Sequence, residues 1–272
     1  YRKGVNDMMI TADKLTNTKY HAKKDYTSSS DVKAVHGTTL AHWKSKKYGS
    51  TSAMAIGTAV HSFVLENGAD IIKGPETRRG KAWTDMQEEA DANDHTLLTT
   101  ADYDLARGVA DSVLFHPAGQ RIAYDNDSTI NEASFFVTDP ESGLKLKCRP
   151  DSFWPEKGVI YDIKTCRDAS ERGVQTDVHG FGYALQSVFY MYCLGLAGYN
   201  AEQFVFINVE KTGSYEVSTN ILSNEYLAWA EVEMHSTLRK IADANEAQVW
   251  DTGWNETRVI DLPRWLQSAA EF

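Results

Sequence analysis

Cysteine is scarce: Cys148, Cys166 and Cys193 are the three in 272 residues, and no CxxC pair occurs. That spacing offers no zinc knuckle, iron–sulfur cluster or disulfide framework, and the three read as buried thiols. A long apolar run is lacking too. The most continuous stretch, Ala184 to Tyr199, is interrupted by Gln186 and Ser187 and falls short of the roughly 20 apolar residues that a spanning helix needs. The first residues, Tyr-Arg-Lys-Gly-Val-Asn-Asp, lack the charged-then-apolar layout of a secretory signal. The expectation is therefore no membrane partner, a cytoplasmic location and, because residue 1 is Tyr, a chain that begins inside a longer precursor. Positive charge is in deficit: 28 Lys and Arg stand against 38 Asp and Glu, net −10. This argues against a protein that coats nucleic acid by bulk attraction. GxSxG, HExxH and GxGxxG are all missing. The segment Gly74 to Ala82 looks like a phosphate loop, but its glycine spacing is one residue too long and Ala82 stands where Ser or Thr is required, so it is no nucleotide site.

What is present is a globular composition, 42% apolar, 24% charged and 11% aromatic, in the range of one large domain. Charge is unevenly placed. Residues 1–50 hold ten Lys or Arg against four Asp, net +6, and the remainder is net −16. Any polyanion must meet that basic arm or a local cationic track.

Residues 1–125 read as mainly helical. Ser28 and Asp31 form a capping-box pattern opening a short helix towards His36, and a second helix is expected at about 39–48. Over 53–66, Ile56, Val60, Phe63 and Val64 recur at helical spacing, which puts Gly57 and His61 one turn apart on a neighbouring face. Further helices are expected at 81–93 and 101–116, the latter ended by Pro117. Residues 126–272 change character, with β-like runs at 129–138, 144–154 and 159–165 read as a three-stranded meander. A long apolar helix at 181–196, strands at 203–210 and 215–221 and a helix at 224–247 follow. The order implies an α/β fold, a central mixed sheet flanked by helices behind a helical N-terminal part.

The middle strands carry the chemistry. Lys145, Lys147, Arg149 and Asp151 fall at every second position, so one continuous strand would carry them all on one face as a cationic track ending in a carboxylate. On the next strand Asp162 and Lys164 share a face. A hairpin loop of two residues (156–157) or four (155–158) sets Asp151 opposite Asp162 and Arg149 opposite Lys164. Facing carboxylates repel. They need either a shared proton or a hard divalent cation such as Mg²⁺ between them, and the surrounding Lys and Arg favour the cation because they would draw a phosphate to it. Arg78, Arg79 and Lys81 on their own read as a solvated loop.

Pro150-Asp151, ten residues, then Asp162-Ile163-Lys164 resembles the PD-(D/E)xK nuclease superfamily. More narrowly the chain is similar to the exonuclease VIII (RecE-type) branch, akin to lambda exonuclease and RecB-type nuclease domains. Gly57-Thr-Ala-Val-His61, Glu132, Cys148-Arg-Pro-Asp151, Asp162-Ile-Lys164-Thr165 and Gln186-Ser-Val-Phe-Tyr190 occur in order, from about Ser28 to Trp265. The resemblance implies a single nuclease domain over 1–272 with a restriction-endonuclease-like fold. It implies His61, Asp151, Asp162 and the Ile163 carbonyl as ligands of Mg²⁺ or Mn²⁺, with Gly57 allowing close approach to His61. Lys164, its pKa lowered by burial, would handle the attacking water, Glu132 would hold a metal-bound water or second ion, and Gln186 and Tyr190 would steady Lys164 or the phosphate. Arg78, Arg79, Lys81, Lys145, Lys147 and Arg149 would contact DNA. The implied activity is 5′ to 3′ exonuclease action on double-stranded DNA ends, leaving 3′ overhangs for recombination with a single-strand annealing protein, by a homo-oligomeric ring of three or four copies. An endonuclease or single-strand-specific nuclease on the same fold stays open, as does a vestigial DNA-end-binding module. The intact Asp151, Asp162 and Lys164 argue against decay.

Overall fold

The computed structural model describes residues 14–45, 51–124, 128–254 and 256–262. Arg2, Lys3, Lys46 and Lys47 of the basic arm, the end of the helix expected over 39–48, and Trp265 lie outside them. The N-terminal part is helical: α1 (Asn17–Ala22), α2 (Ser29–Gly37), α3 (Leu40–Ser45) and α4 (Ser52–Leu65), then α5 (Lys81–Ala92), α6 (Thr100–Phe115) and α7 (Pro117–Tyr124). A short parallel pair, β1 (Ile71–Lys73) and β2 (Thr96–Leu98), sits among them. The capping box of Ser28 and Asp31 opens α2 as its spacing requires.

The second part contains β3 (Ile130–Asn131), β4 (Phe135–Thr138), β5 (Lys145–Cys148), β6 (Ser152–Trp154) and β7 (Val159–Cys166). Next come α8 (Glu171–Gly180), α9 (Tyr183–Leu196), β8 (Gln203–Glu210), β9 (Val217–Asn220) and α10 (Asn224–Ala247). The central sheet is mixed, in the order β3-β6-β7-β8-β9, with β7 and β8 parallel and the other neighbours antiparallel. β4 and β5 form a separate two-stranded ribbon.

The expected three-stranded meander is therefore corrected: the runs 129–138 and 144–154 each split in two. Pro150 has no N–H to give the ladder, and Glu132 takes a positive φ of 52°. Register nevertheless survives the break. Asn131 lies opposite Ser152 on one side and Phe135 opposite Cys148 on the other, which brings Glu132 level with Asp151, where the Glu132 N–H still donates to the Asp151 carbonyl at 3.1 Å. The β6–β7 register is the one the loop length dictates, with Ser152 opposite Tyr161 and Trp154 opposite Val159. Gly158 closes that loop with φ 65°, and a Cβ there would stand 2.7 Å from the Asn200 carbonyl oxygen.

Because β7 alternates, its two faces enter different cores. Tyr161 and Ile163 join Ile56, Val60 and Phe63 of α4 and Val109 and Val113 of α6, whereas Ile160 joins Phe189 of α9, Val32 of α2 and Met234 of α10. The sheet is thus sandwiched between two helical layers, and Asp162 and Lys164 interrupt the face covered by α9. No helix among the described residues is long and apolar enough to cross a membrane.

Candidate active site

The interrupted ribbon delivers two carboxylates to one place. Glu132 and Asp151 meet His61, which α4 presents across the sheet, and one donor atom from each of the three lies within 4.8 Å of the others. His61 is held on both sides: its Nε2 is 2.9 Å from the Ile163 carbonyl and its Nδ1 is 3.3 Å from Asp151 Oδ1. A carbonyl only accepts, so Nε2 carries the proton and Nδ1 faces the carboxylates. The Ile163 carbonyl, expected as a metal ligand, accepts this hydrogen bond from the imidazole. Asp151 Oδ2 accepts from the Ile163 N–H at 2.6 Å. Beside the group, Asn17, Thr58, Glu66 and Arg149 line a small open cleft of about 100 Å³.

The electrostatics follow from burial among like charges. Burial alone would depress the His61 imidazolium, but the adjacent Asp151 carboxylate, with Glu132 and Asp162, outweighs it and raises the pKa to about 9. Burial, reinforced by Asp151, pushes Glu132 up to about 7. Asp151 is lowered despite its burial, because His61 and Lys164 favour its anion. Both raised groups bind protons more tightly in the fold than in the unfolded chain, so their contribution is present at low pH and lost on the way up. Glu132 loses it between 4.5 and about 7, and His61 between 6.5 and about 9. Asp151 acts oppositely, losing its contribution as pH falls below 3.8. In EDTA the melting temperature should therefore drop between about pH 5 and pH 9. A flat or rising melting curve over that window contradicts the arrangement.

Asp162 stands outside that donor group. Its Oδ1 accepts from Gln186 Nε2 at 2.8 Å and its Oδ2 pairs with Lys164 Nζ. Asp162 is 2% exposed and the Lys164 side chain 14%. Burial raises the Asp162 pKa. The expected depression of Lys164 is reversed: burial pulls it down, but Asp162 and Asp151 more than compensate and the ammonium is held charged. Tyr190, one turn beyond Gln186, packs its ring near Phe189 and Phe204. The aromatic ring at Lys164 is Tyr183, 4.9 Å from Nζ to the centroid. Tyr183 and Lys33, which donates to Gln186 Oε1 at 3.2 Å, escaped the sequence reading. Tyr183 stands three residues before the Gln-x-x-x-Tyr element, and nothing local marks Lys33.

The cationic track is also corrected, because α1 covers it. Lys147 is 5% exposed and donates to the Tyr20 and Lys23 carbonyls at 3.0 and 2.7 Å, closing the C-terminal end of α1, where a cation is favourable. Lys145 pairs with Asp25 at 3.1 Å on the surface. Arg149 pairs with Glu132 at 3.1 Å, contacts Asn17 and lies 4.7 Å from the Tyr20 ring centroid, so of the three it alone reaches the cleft. Arg78 pairs with Asp102 at 2.9 Å and faces Trp83, while Arg79 and Lys81 are exposed. Gly57 is not needed for a close approach: an added Cβ would meet Thr165 Oγ1 at 3.9 Å, an ordinary contact. Gly57→Ala should keep activity and stabilise α4 by about 0.5–1 kcal/mol; a loss of stability in thermal denaturation would show hidden crowding.

A PDDEXK-like domain of unknown function (DUF3799) matches residues 28–259. Among solved structures, a candidate exonuclease from Eubacterium rectale aligns over 95% of this chain and 99% of its own, at TM-score 0.63 and 18% identity, which is a likeness of fold. A phage-related exonuclease from Haemophilus somnus (14% identity, 82% of this chain, 96% of the other) and an alkaline exonuclease from Laribacter hongkongensis (12%, 86% and 97%) align at TM-scores of 0.36 and 0.33, too low to bear on the site. No curated protein sequence matches. With most of its length inside that match, the chain belongs to the PDDEXK-like DUF3799 family.

Proposed function

We propose that this chain is a divalent-metal-dependent deoxyribonuclease acting as a 5′ to 3′ exonuclease on double-stranded DNA ends. The observation that carries the metal-dependent nuclease reading is the convergence of His61, Glu132 and Asp151 beside the buried Asp162–Lys164 pair. The donor set suits Mg²⁺ or Mn²⁺: two carboxylates and one imidazole, with atoms at most 4.8 Å apart, need only a small contraction to reach the roughly 3–4 Å between ligands at about 2.1 Å from a small octahedral ion. Bound there, the ion supplies a Lewis acid for the scissile phosphate and lowers the pKa of a bound water. The Ile163 carbonyl aims His61 Nδ1, and Asp162 holds Lys164 charged, where its ammonium orients the attacking water and meets the charge that develops on the phosphorane. Gln186 fixes Asp162 from behind, Tyr190 supports that helix, and Arg149 offers the cleft a guanidinium for a phosphate.

Arg78, Arg79, Lys81 and Lys145 are the surface cations assigned to the duplex backbone. A homo-oligomeric ring of three or four copies would enclose the duplex and explain how an acidic chain retains DNA. Products with 3′ overhangs would serve recombination with a single-strand annealing protein. The name borne by the structural neighbour from Eubacterium rectale, an exonuclease, supports action from an end. With Mg²⁺, linear duplex should be degraded while covalently closed circles survive, and EDTA should stop the reaction. Linearisation of closed circles at a comparable rate would replace the exonuclease reading with an endonuclease one.

A further inference from the structure

Lys33 lies on α2, in the helical part that precedes the sheet, yet it reaches the catalytic strand through one side chain. Its Nζ donates to Gln186 Oε1 at 3.2 Å, and the same amide donates from Nε2 to Asp162 Oδ1 at 2.8 Å. An ammonium only donates and a carboxylate only accepts, so the two neighbours together permit one orientation of the amide. The approach is built in. Gly182 opens α9 at φ 64°, and a Cβ there would stand 3.1 Å from Lys33 Cγ and 3.3 Å from Cδ, so the lysine stem crosses α9 where the backbone is bare. The Tyr183 ring then receives both ammoniums, Lys33 at 5.7 Å and Lys164 at 4.9 Å from its centroid, and an electron-rich ring tolerates two cations that would otherwise repel. Asp31 holds α2 in place, taking the Ser28 N–H at 2.8 Å and the Trp43 indole N–H at 2.9 Å.

We infer that Lys33 is a positioning residue for the nuclease chemistry, acting through Gln186 on Asp162 and thereby on Lys164; this rests on the function proposed above. Without Lys33 the amide is free to turn its oxygen towards Asp162, which loses a donor in a buried site and no longer fixes Lys164. The inference makes the docking of α2 a condition of catalysis.

The test is a double-mutant cycle on cleavage of end-labelled linear duplex with Mg²⁺. Lys33→Met should lower kcat about 10- to 100-fold, the usual range for a group behind a first contact, with KM within about twofold. Lys33→Arg should restore most of it. In a Gln186→Met background Lys33→Met should have little further effect, because the two act as one unit. A rise in KM with kcat unchanged would make Lys33 a phosphate anchor and overturn the inference, as would effects that multiply independently in the double variant. Melting temperatures of the same four chains supply a readout independent of cleavage: non-additivity is expected, and strict additivity overturns the Lys33–Gln186 link. If the wild-type chain cleaves no DNA, the nuclease reading fails and the catalytic role of Lys33 with it, and the melting cycle still decides whether the link exists.

Discussion

Asp151→Asn is expected to lower DNA cleavage at least about a thousandfold, roughly 4 kcal/mol of transition-state stabilisation, while the chain stays folded. The two halves of that result have separate causes. Asp151 is the carboxylate of the donor group held on both oxygens, with Oδ1 towards His61 Nδ1 and Oδ2 accepting from the Ile163 N–H. A neutral amide is a weak ligand for a hard cation, so the function is lost. The amide can still give its oxygen to the Ile163 N–H, and removing the anion also relieves Glu132, whose pKa Asp151 raises. Parallel measurement of initial rates and melting temperature checks both. Turnover within tenfold of wild type at unchanged stability would remove Asp151 from the reaction.

Lys164→Met carries a second large effect, and here catalysis and stability move together. Loss of the ammonium that handles water and developing charge should cost about 10² to 10⁴ in kcat. The same substitution strands Asp162, 2% exposed and paired with Lys164, and removing one partner of a buried pair costs about 3–5 kcal/mol. A destabilised, inactive single variant would thus be ambiguous alone. Asp162→Asn combined with Lys164→Met should recover much of the stability, because a neutral amide replaces the uncompensated charge, and none of the activity. Activity returning with stability would show that Lys164 acts through the fold and not on the substrate.

The helices were legible where periodicity and caps agreed. α4 and α10 show their apolar spacing, and α2 shows its capping box. β7 was legible as the strand bearing Asp162 and Lys164, and the β6–β7 register followed from loop length alone. The short elements were not: six residues of α1 and three of β1 and β2 hold too few apolar positions to show a period. α8 was missed although Ser170 caps it through the Gly173 N–H, a signal present but unused. The break at Pro150 was readable in principle, since proline cannot donate within a ladder; the burial of Lys147 was not, because α1 covers it through the Tyr20 and Lys23 carbonyls.

Pairing Glu132 with Asp151 needs a second register, across the turn at 139–143, and that register decides which carboxylates converge. With β6–β7 alone Asp162 was the natural partner. Lys33 and Gln186 are 153 residues apart, and no local pattern joins them. Those contacts come from helix packing over the sheet, which single-sequence periodicity does not encode.

In the function proposed above, His61, Glu132 and Asp151 with Asp162 and Lys164 form a metal-dependent phosphodiester-cleaving site. The most direct measurement is release of acid-soluble nucleotide from uniformly labelled linear duplex by the purified chain, with Mg²⁺ or Mn²⁺ and with EDTA, beside Asp151→Asn prepared identically. Release should require the cation and disappear in the variant. Release that persists in EDTA, or that Asp151→Asn retains in full, would contradict it.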